Sequence, residues 1–547
     1  MLPTVPRCLF YRRGILLLRS WLMPIASAGA SRAGFEPKWR RKAVRAARQS
    51  FPFSGVAPWS LVDVVATVLL AAITVDYFYD AIALASGYPL WMDEVLSLWT
   101  AQMPSVKSLW SALERGAEFT PPLYDLFLHF LLKAGASSPL ALRLPSILAF
   151  FLAAIAMGFF VRRYARWPLV ALAVATVLSS GMFEYALQVR PYVFVAAVFA
   201  WALVIWDRLP HENVATRDLA IFGTLLVILT ALHFYAILLV ALYFVLEIFR
   251  SFLHRSFPRW GVVIAISVAL ASIMLWWPIM QSASQFSGGD VEAPGYYGRP
   301  QLTTLLFSYL HLTGILGIFL VALAAILLCL RLKGARLDEV GIYAALICLV
   351  PAGVFIFSLM VSHSYVDRYV IVAALGFSLL SVWVAAQAGR NAEYVALGLL
   401  AFVTGVGAGG SGAVKYRVPQ IEASRLIEQA QGTLPIATGN GLRYIELVAN
   451  SSPAIAKRIV YLDLPDIVSD DPTNRHQVER WKVINPSLKS VNAQKFICSN
   501  RQFLLFSDPE EGQDDIPRWL VDHANFDFPS SVGASLTLVT SRPCIKS

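Results

Sequence analysis

The chain has 547 residues, of which 57% are hydrophobic and only 15% charged, and its mean hydropathy is +0.60. So much apolar surface excludes an ordinary soluble protein of this length. The net charge of +10 does not point to nucleic acid either, because the basic residues sit in short clusters between apolar runs instead of on one compact segment.

Residues 1–57 carry Arg12, Arg13, Arg19, Arg32, Lys38, Arg40, Arg41, Lys42, Arg45 and Arg48 and read as a disordered basic cytoplasmic tail. The apolar stretch Gly14 to Ala30 is interrupted by Arg19, which makes it a poor signal-peptide core. From Leu61 to about Gly410, apolar runs recur at the length of about 20 residues that a helix needs to cross a hydrocarbon core of roughly 30 Å. The runs are continuous and do not alternate with period two, so a β-barrel is excluded and helices must satisfy the backbone.

Eleven spans are predicted: Leu61 to Leu84, Leu142 to Val161, Pro168 to Leu187, Pro191 to Trp206, Asp218 to Phe234, Tyr235 to Phe252, Gly261 to Met280, Thr303 to Leu330, Gly341 to Val361, Tyr369 to Ala388 and Tyr394 to Gly409. Asp218 to Phe252 is too long for one crossing at about 1.5 Å per residue and reads as a hairpin turning near His233. With the tail inside, this count puts Arg162, Arg163, Arg166, Arg208, Arg250, Arg255, Arg259, Arg331, Lys333, Arg336 and Arg390 on the inner face. Counting Pro121 to Leu132 as a further crossing would put Arg162, Arg163, Arg250 and Arg255 outside, so that stretch is read as a helix lying flat on the outer surface.

The outer face then holds the loop 85–141, the turn Glu184 to Pro191, the His233 turn, the loop Gln281 to Leu302, the turn Ser362 to Arg368 and everything after Gly410. Gln281 to Leu302, with Ser287-Gly-Gly-Asp and Pro294-Gly-Tyr-Tyr-Gly, has the composition of a mobile lid or of an ordinary flexible connection. Residues 413–547 change character: Pro435 to Thr438, Arg458 to Leu464, Phe503 to Ser507 and Leu536 to Thr540 read as strands between helical stretches. The fold class is therefore a polytopic α-helical membrane protein of about eleven spans, residues 58–412, with a small C-terminal extracytoplasmic α/β domain. Thr438-Gly-Asn-Gly441 reads as a turn and not as a nucleotide loop.

Cys8, Cys329, Cys348, Cys498 and Cys544 have no metal-ligand spacing, and Cys498 and Cys544 could form a disulfide if their region is extracytoplasmic. The eight histidines are likewise scattered, so neither a divalent metal nor another cofactor is expected. Asp93-Glu94 follows the first span among aromatic and aliphatic neighbours; a poorly hydrated carboxyl suits a general base, while a solvated loop pair is the plain alternative. Arg190 and Arg368 stand beside tyrosines at outer ends of spans, where guanidinium forks match phosphate oxygens; snorkelling to lipid, or pairing of Arg368 with Asp367, would also account for them. Arg143 is a weaker candidate of the same kind, and His233 and Tyr235 could touch sugar or phosphate or simply belong to the interface.

Taken in order, Asp93-Glu94, Pro121-Pro-Leu-Tyr124, Ala141-Leu-Arg-Leu-Pro-Ser146, Tyr185 to Tyr192, His233-Phe-Tyr235 and Arg368-Tyr369 resemble the GT-C membrane glycosyltransferases, especially the bacterial aminoarabinose and lipopolysaccharide-core sugar transferases and more remotely the protein O-mannosyltransferases. The resemblance covers about Leu61 to Gly410. It implies inverting transfer of a sugar from a polyprenyl-phosphate donor to an envelope glycolipid, glycan or protein, on the outer side of a bacterial inner membrane. Asp93 would be the base, Glu94 would position the acceptor, and Arg190, Arg368, Tyr369 and Arg143 would hold the donor phosphate. Tyr124, Tyr185, Gln188, Tyr192, His233 and Tyr235 would contact substrate. Thr120 and Gln188 depart from the residues that relatives often carry, His or Lys and Glu respectively. A transporter or flippase of lipid-linked sugars is the alternative from another class, although the ionisable groups cluster at one interface and no inverted repeat is visible. An inactive membrane scaffold whose C-terminal domain binds a partner is a third.

Overall fold

The structure, a computed structural model, describes residues 59–211, 214–283, 298–329, 338–407, 421–430, 432–464, 478–508, 516–525 and 535–541. The basic tail, most of the loop Gln281 to Leu302, the cluster Arg331, Lys333 and Arg336, the boundary at 412–413 and Cys544 lie outside these residues.

Each of the eleven predicted runs contains a helix. Among the described residues five are long and apolar enough by themselves to cross a membrane: Leu61–Gly87, Pro139–Val161, Ala236–His254, Trp260–Ala283 and Glu339–Ser362. The first starts where Ser60 and Asp63 form a capping box, and the second starts at the Ser138 cap. The predicted hairpin is present, its helices Thr216–Leu232 and Ala236–His254 joined at His233. Two runs are shorter than predicted. Pro168 to Leu187 is broken: a helix over Trp167–Leu178 ends where the Ser179 and Ser180 hydroxyls bond back to the carbonyls of Ala175 and Val177, the chain turns at Gly181, and only the short helix Phe183–Ala186 follows. Tyr369 to Ala388 forms a helix only from Ala373 to Ala386.

The Trp167–Leu178 helix is buried from Pro168 onward and packs against Leu61–Gly87, Pro139–Val161, Ala373–Ala386 and Ala392–Val406, so the core of the bundle lies around it. At the C-terminal end of the Tyr192–Arg208 helix, Arg250 and Arg259 donate to the carbonyls of Trp206 and Leu209, which cations at a helix C-terminus are suited to do. Arg259 is held by Glu247 (Nε to Oε1, 3.0 Å), and Arg163 pairs with Asp207 at 2.9 Å. Several of the basic clusters predicted to share one face thus converge at this end. Arg190 precedes the other end of the same 17-residue helix, roughly 25 Å away at about 1.5 Å per residue.

The segment 85–141, read from sequence as a loop, contains three helices: Met92–Ala101, Val106–Glu114 and Leu123–Lys133. The last has 11 residues, too short to cross a membrane.

The C-terminal part forms a six-stranded sheet of β1 (Ile436–Thr438), β2 (Ile459–Asp463), β3 (Ser490–Asn492), β4 (Gln502–Ser507), β5 (Ala524–Asn525) and β6 (Ser535–Ser541), in the order β3-β2-β1-β4-β6-β5. The β3-β2-β1-β4 half is parallel, and β6 runs antiparallel to both β4 and β5. The four predicted strands are β1, β2, β4 and β6; β3 and β5, of three and two residues, are too short to carry a sequence pattern. Sheet and helices belong to one compact unit. The helix Gly441–Asn450, packed on β2, also rests on Met92–Ala101. Cys498 is disulfide-bonded.

Candidate active site

Asp93 lies in the first turn of Met92–Ala101, where the helix N-terminus favours an anion. Its Oδ2 stands 3.3 Å from the Arg368 guanidinium and 3.9 Å from Arg190 Nε. Three segments far apart in sequence therefore supply one acid and two cations, and all three residues are largely buried. The close neighbours of Asp93 are guanidinium groups, not the aliphatic setting that its sequence neighbours suggest.

Arg190 is anchored from several sides. Its Nη1 donates to Ser97 Oγ at 2.8 Å and to the Asp93 carbonyl at 3.2 Å, and it pairs with Glu118; its Nη2 reaches Tyr192 Oη at 3.3 Å. Ser97 Oγ also donates to Glu118 at 2.9 Å. Behind Glu118 lies the fully buried Asp125. Burial first, and then the charge and hydrogen bond of Glu118, hold the Asp125 carboxyl well above the ordinary range.

The aromatic residues flagged in the sequence form the wall around these cations. Arg368 sits over the rings of Tyr192 and Tyr369, at 5.9 and 5.8 Å from their centroids. Tyr235 stacks on Tyr369 with centroids 4.3 Å apart, and its hydroxyl donates to the Ser364 carbonyl at 2.6 Å. His233 packs between Tyr192 and Tyr369. Burial, then Arg190 and Arg368, push the His233 pKa down to about 3, so the ring stays neutral near pH 7.

Beside Arg368 opens a cleft of about 160 Å³ lined by Trp91, Glu184, Tyr185, Gln188, Phe307, His311, Asp367 and Arg368. His311 bridges two carboxylates, Nδ1 to Asp367 Oδ2 at 2.8 Å and Nε2 to Glu184 Oε2 at 3.1 Å. The bridge depends on two glycines. Gly181 NH donates to the Leu312 carbonyl, and a Cβ at this position would stand 2.0 Å from the His311 carbonyl oxygen, so only glycine lets the two segments approach so closely. Three residues beyond His311, Gly314 (φ 59°) breaks the helical geometry of Leu302–Cys329. Burial alone would raise Asp367, but the hydrogen bond and charge of His311 outweigh it and hold that carboxyl below the ordinary range. Among the described residues, the buried atoms Gln188 Oε1 and Trp91 Nε1 have no hydrogen-bond partner.

Three expectations change. Glu94 and Arg143 do not face the cations. Arg143 Nε and Nη2 donate to the two Glu94 oxygens at 2.8 and 2.7 Å, and its remaining donors hold the carbonyls of Ala85, Tyr88 and Pro89. Glu94 also accepts from the backbone NH of Trp91 and Val189. Both side chains are wholly buried, and the pair forms a strut. Tyr124, expected to contact substrate, is buried against Phe127 and Phe194 and does not line the cleft. Arg368 gives its side chain to Asp93, while the Asp367 carboxylate takes His311.

Sequence reasoning missed Glu118, Ser97, Glu184 and His311. Glu118 had one visible signal, an acid standing just before Pro121-Pro122; His311 had only its isolation in an apolar helix. Among the described residues no group of three or more His, Cys, Asp or Glu is placed to hold a metal ion.

No family model matches the sequence, and no curated protein does. The fold, however, is similar to that of ArnT from Cupriavidus metallidurans. The apo crystal structure matches with a TM-score of 0.54 and the structure bound to undecaprenyl phosphate with 0.51, each at 11% identity and covering 86% of this chain and 97% of that chain. The GT-C resemblance read from the sequence is thus a resemblance of fold.

Proposed function

With a GT-C fold as the scaffold, we propose that the chain is an inverting glycosyltransferase that moves a sugar from a polyprenyl-phosphate donor to an acceptor at the outer membrane-water boundary. The observation that carries this reading is the Asp93 carboxylate held between Arg368 and Arg190 at one end of an apolar helical bundle. An acceptor O–H or N–H enters beside Asp93, its heteroatom bonds to the anomeric carbon, and its proton passes to Asp93. The carbon–oxygen bond to phosphate breaks, and the electron pair leaves on polyprenyl phosphate, whose charge Arg368 and Arg190 stabilise. The undecaprenyl phosphate bound to ArnT supports a lipid-phosphate donor here. The adjoining cleft, with carboxylates, amide and aromatic rings, suits a ring bearing both hydroxyls and C–H faces. Lipid A or lipopolysaccharide, another envelope glycan and protein all fit as acceptor classes.

The decisive experiment is Asp93→Asn assayed in membranes supplied with a labelled lipid extract from the producing cell. Transfer of label to envelope material falls by about 10²-fold or more if Asp93 is the base. Activity within about threefold of wild type rules that role out. If the protein moves labelled donor across the bilayer and makes no glycosylated product, it is a flippase.

A further inference from the structure

The six-residue stretch Tyr88 to Asp93, which ends at the proposed base, is held from two directions. From the membrane bundle, Arg143 takes the carbonyls of Tyr88 and Pro89, and Glu94 caps the Trp91 NH. The other hold comes from the C-terminal part, over 350 residues on in sequence. Asn450 Oδ1 accepts from Leu90 NH at 2.8 Å while its Nδ2 donates to the Leu90 carbonyl at 2.7 Å. The amide thus satisfies both backbone groups of one residue, as a neighbouring strand would. Glu446 Oε1 accepts from Met92 NH at 2.8 Å. Met92 opens the helix that carries Asp93, so Glu446 satisfies one of the amide groups a helix leaves free at its start, with a carboxylate at the positive end of its dipole.

This second hold is itself rigid. Asn440 caps Gly441–Asn450 by accepting from Leu442 and Arg443 NH, both at 3.0 Å. Arg443 donates to Glu446 Oε2 at 2.6 Å and to Asp508 Oδ2 at 3.1 Å, and Asp508 directly follows β4 at the centre of the sheet. Arg443, Glu446 and Asp508 are all buried. The chain of contacts runs from the sheet through Arg443 and Glu446 to the backbone of Met92, one residue from Asp93.

The geometry points to a role for the C-terminal sheet: Glu446 and Asn450 are positioning residues that set the place of the Asp93 carboxylate relative to Arg368 and Arg190. The inference rests on the transferase reading for its catalytic part, while the hold on the backbone stands without it. Both residues act on the backbone of Leu90 and Met92, so their effect is on turnover and not on donor capture. A general base displaced by about 1 Å loses of order 10²-fold in rate.

The test uses the full-length protein in two arms. In the first, hydrogen exchange of the 88–95 backbone is read by mass spectrometry in Asn450→Ala and Glu446→Ala, with β4 as the internal control for folding. Exchange at 88–95 rises while β4 stays protected; unchanged exchange at 88–95 overturns the clamp. Glu446→Gln, which keeps an acceptor for Met92 NH, and Asn450→Asp, which keeps one for Leu90 NH, cover the event that the alanine variants lose β4 protection. Their exchange at 88–95 lies between wild type and alanine, and equality with wild type in both overturns the clamp in that event. In the second arm, transfer from the labelled lipid extract is compared with binding of undecaprenyl phosphate used as probe. Turnover drops at least about tenfold in the alanine variants with probe affinity within about threefold, and Glu446→Gln recovers part of the rate. Faster exchange with unchanged turnover overturns the positioning role. An active Asp93→Asn removes the base role of Asp93 instead, and leaves the exchange result to decide the clamp.

Discussion

The Glu94–Arg143 strut offers the sharpest contrast between what adjacency in sequence suggests and what the fold does. Replacing Arg143 with Met keeps an unbranched stem and removes all five donor contacts: two to Glu94 and three to the carbonyls of Ala85, Tyr88 and Pro89. Glu94 would lose its guanidinium partner and hold a full negative charge, with the backbone NH of Trp91 and Val189 beside it, in a site with no solvent exposure. Breaking a buried pair from one side costs about 3–5 kcal/mol, against a total stability of about 5–15 kcal/mol for a typical folded unit. Arg143→Met should therefore show a markedly lower unfolding temperature in detergent. Arg143→Lys should not restore it, since one ammonium cannot serve two carboxylate oxygens and three carbonyls. The double variant Glu94→Leu with Arg143→Met should regain part of the loss, because no unpaired charge remains. The assay is thermal unfolding followed by size-exclusion fluorescence, run beside undecaprenyl phosphate binding. An Arg143→Met protein as stable as wild type but with weakened lipid-phosphate binding would refute the strut and return Arg143 to the donor site.

Arg368→Ala should weaken undecaprenyl phosphate binding about 10- to 100-fold, the loss of a charge-assisted contact worth about 1.5–3 kcal/mol; titration in detergent checks it, and unchanged affinity would remove Arg368 from the phosphate site. Gly181→Ala puts a methyl group 2.0 Å from the His311 carbonyl oxygen, so the segments must part. A destabilisation of about 1–3 kcal/mol in thermal unfolding is expected, whereas the same substitution at Gly398, where a Cβ meets nothing within 4 Å, should be silent. Burial and Glu118 raise the Asp125 pKa in the fold above that in the unfolded chain. A raised folded pKa gives stability that is complete below the unfolded pKa of about 4 and is lost as pH rises toward the folded one. Asp125→Asn should remove that slope and gain most at the alkaline end; a variant that parallels wild type across about pH 5 to 8 in unfolding temperature would contradict the raised pKa.

Much of the site was legible because membrane physics writes in long, local patterns. Apolar runs mark helices wherever they fold, and the hairpin at His233 followed from length alone. Arginine beside tyrosine at the end of a run is conspicuous, and Arg190, Arg368, Tyr192, Tyr235 and Tyr369 all came together around Asp93. The misjudged ends, Leu187 and Tyr369, lie where hydropathy continues while the backbone turns, as at Ser179-Ser180-Gly181.

Composition, run length and charge sidedness by themselves determined a helical membrane bundle with a terminal α/β part and with its chemistry gathered at one end of the bundle. Tertiary structure alone decided which of two adjacent acids meets the cations. Consecutive residues on a helix point about 100° apart, so Asp93 turns to Arg368 and Glu94 to Arg143. It alone brought Glu118, Glu184 and His311 to the site and ran Asn450 back to Leu90. Such contacts between distant segments depend on how the helices pack, and no local pattern of residues records that.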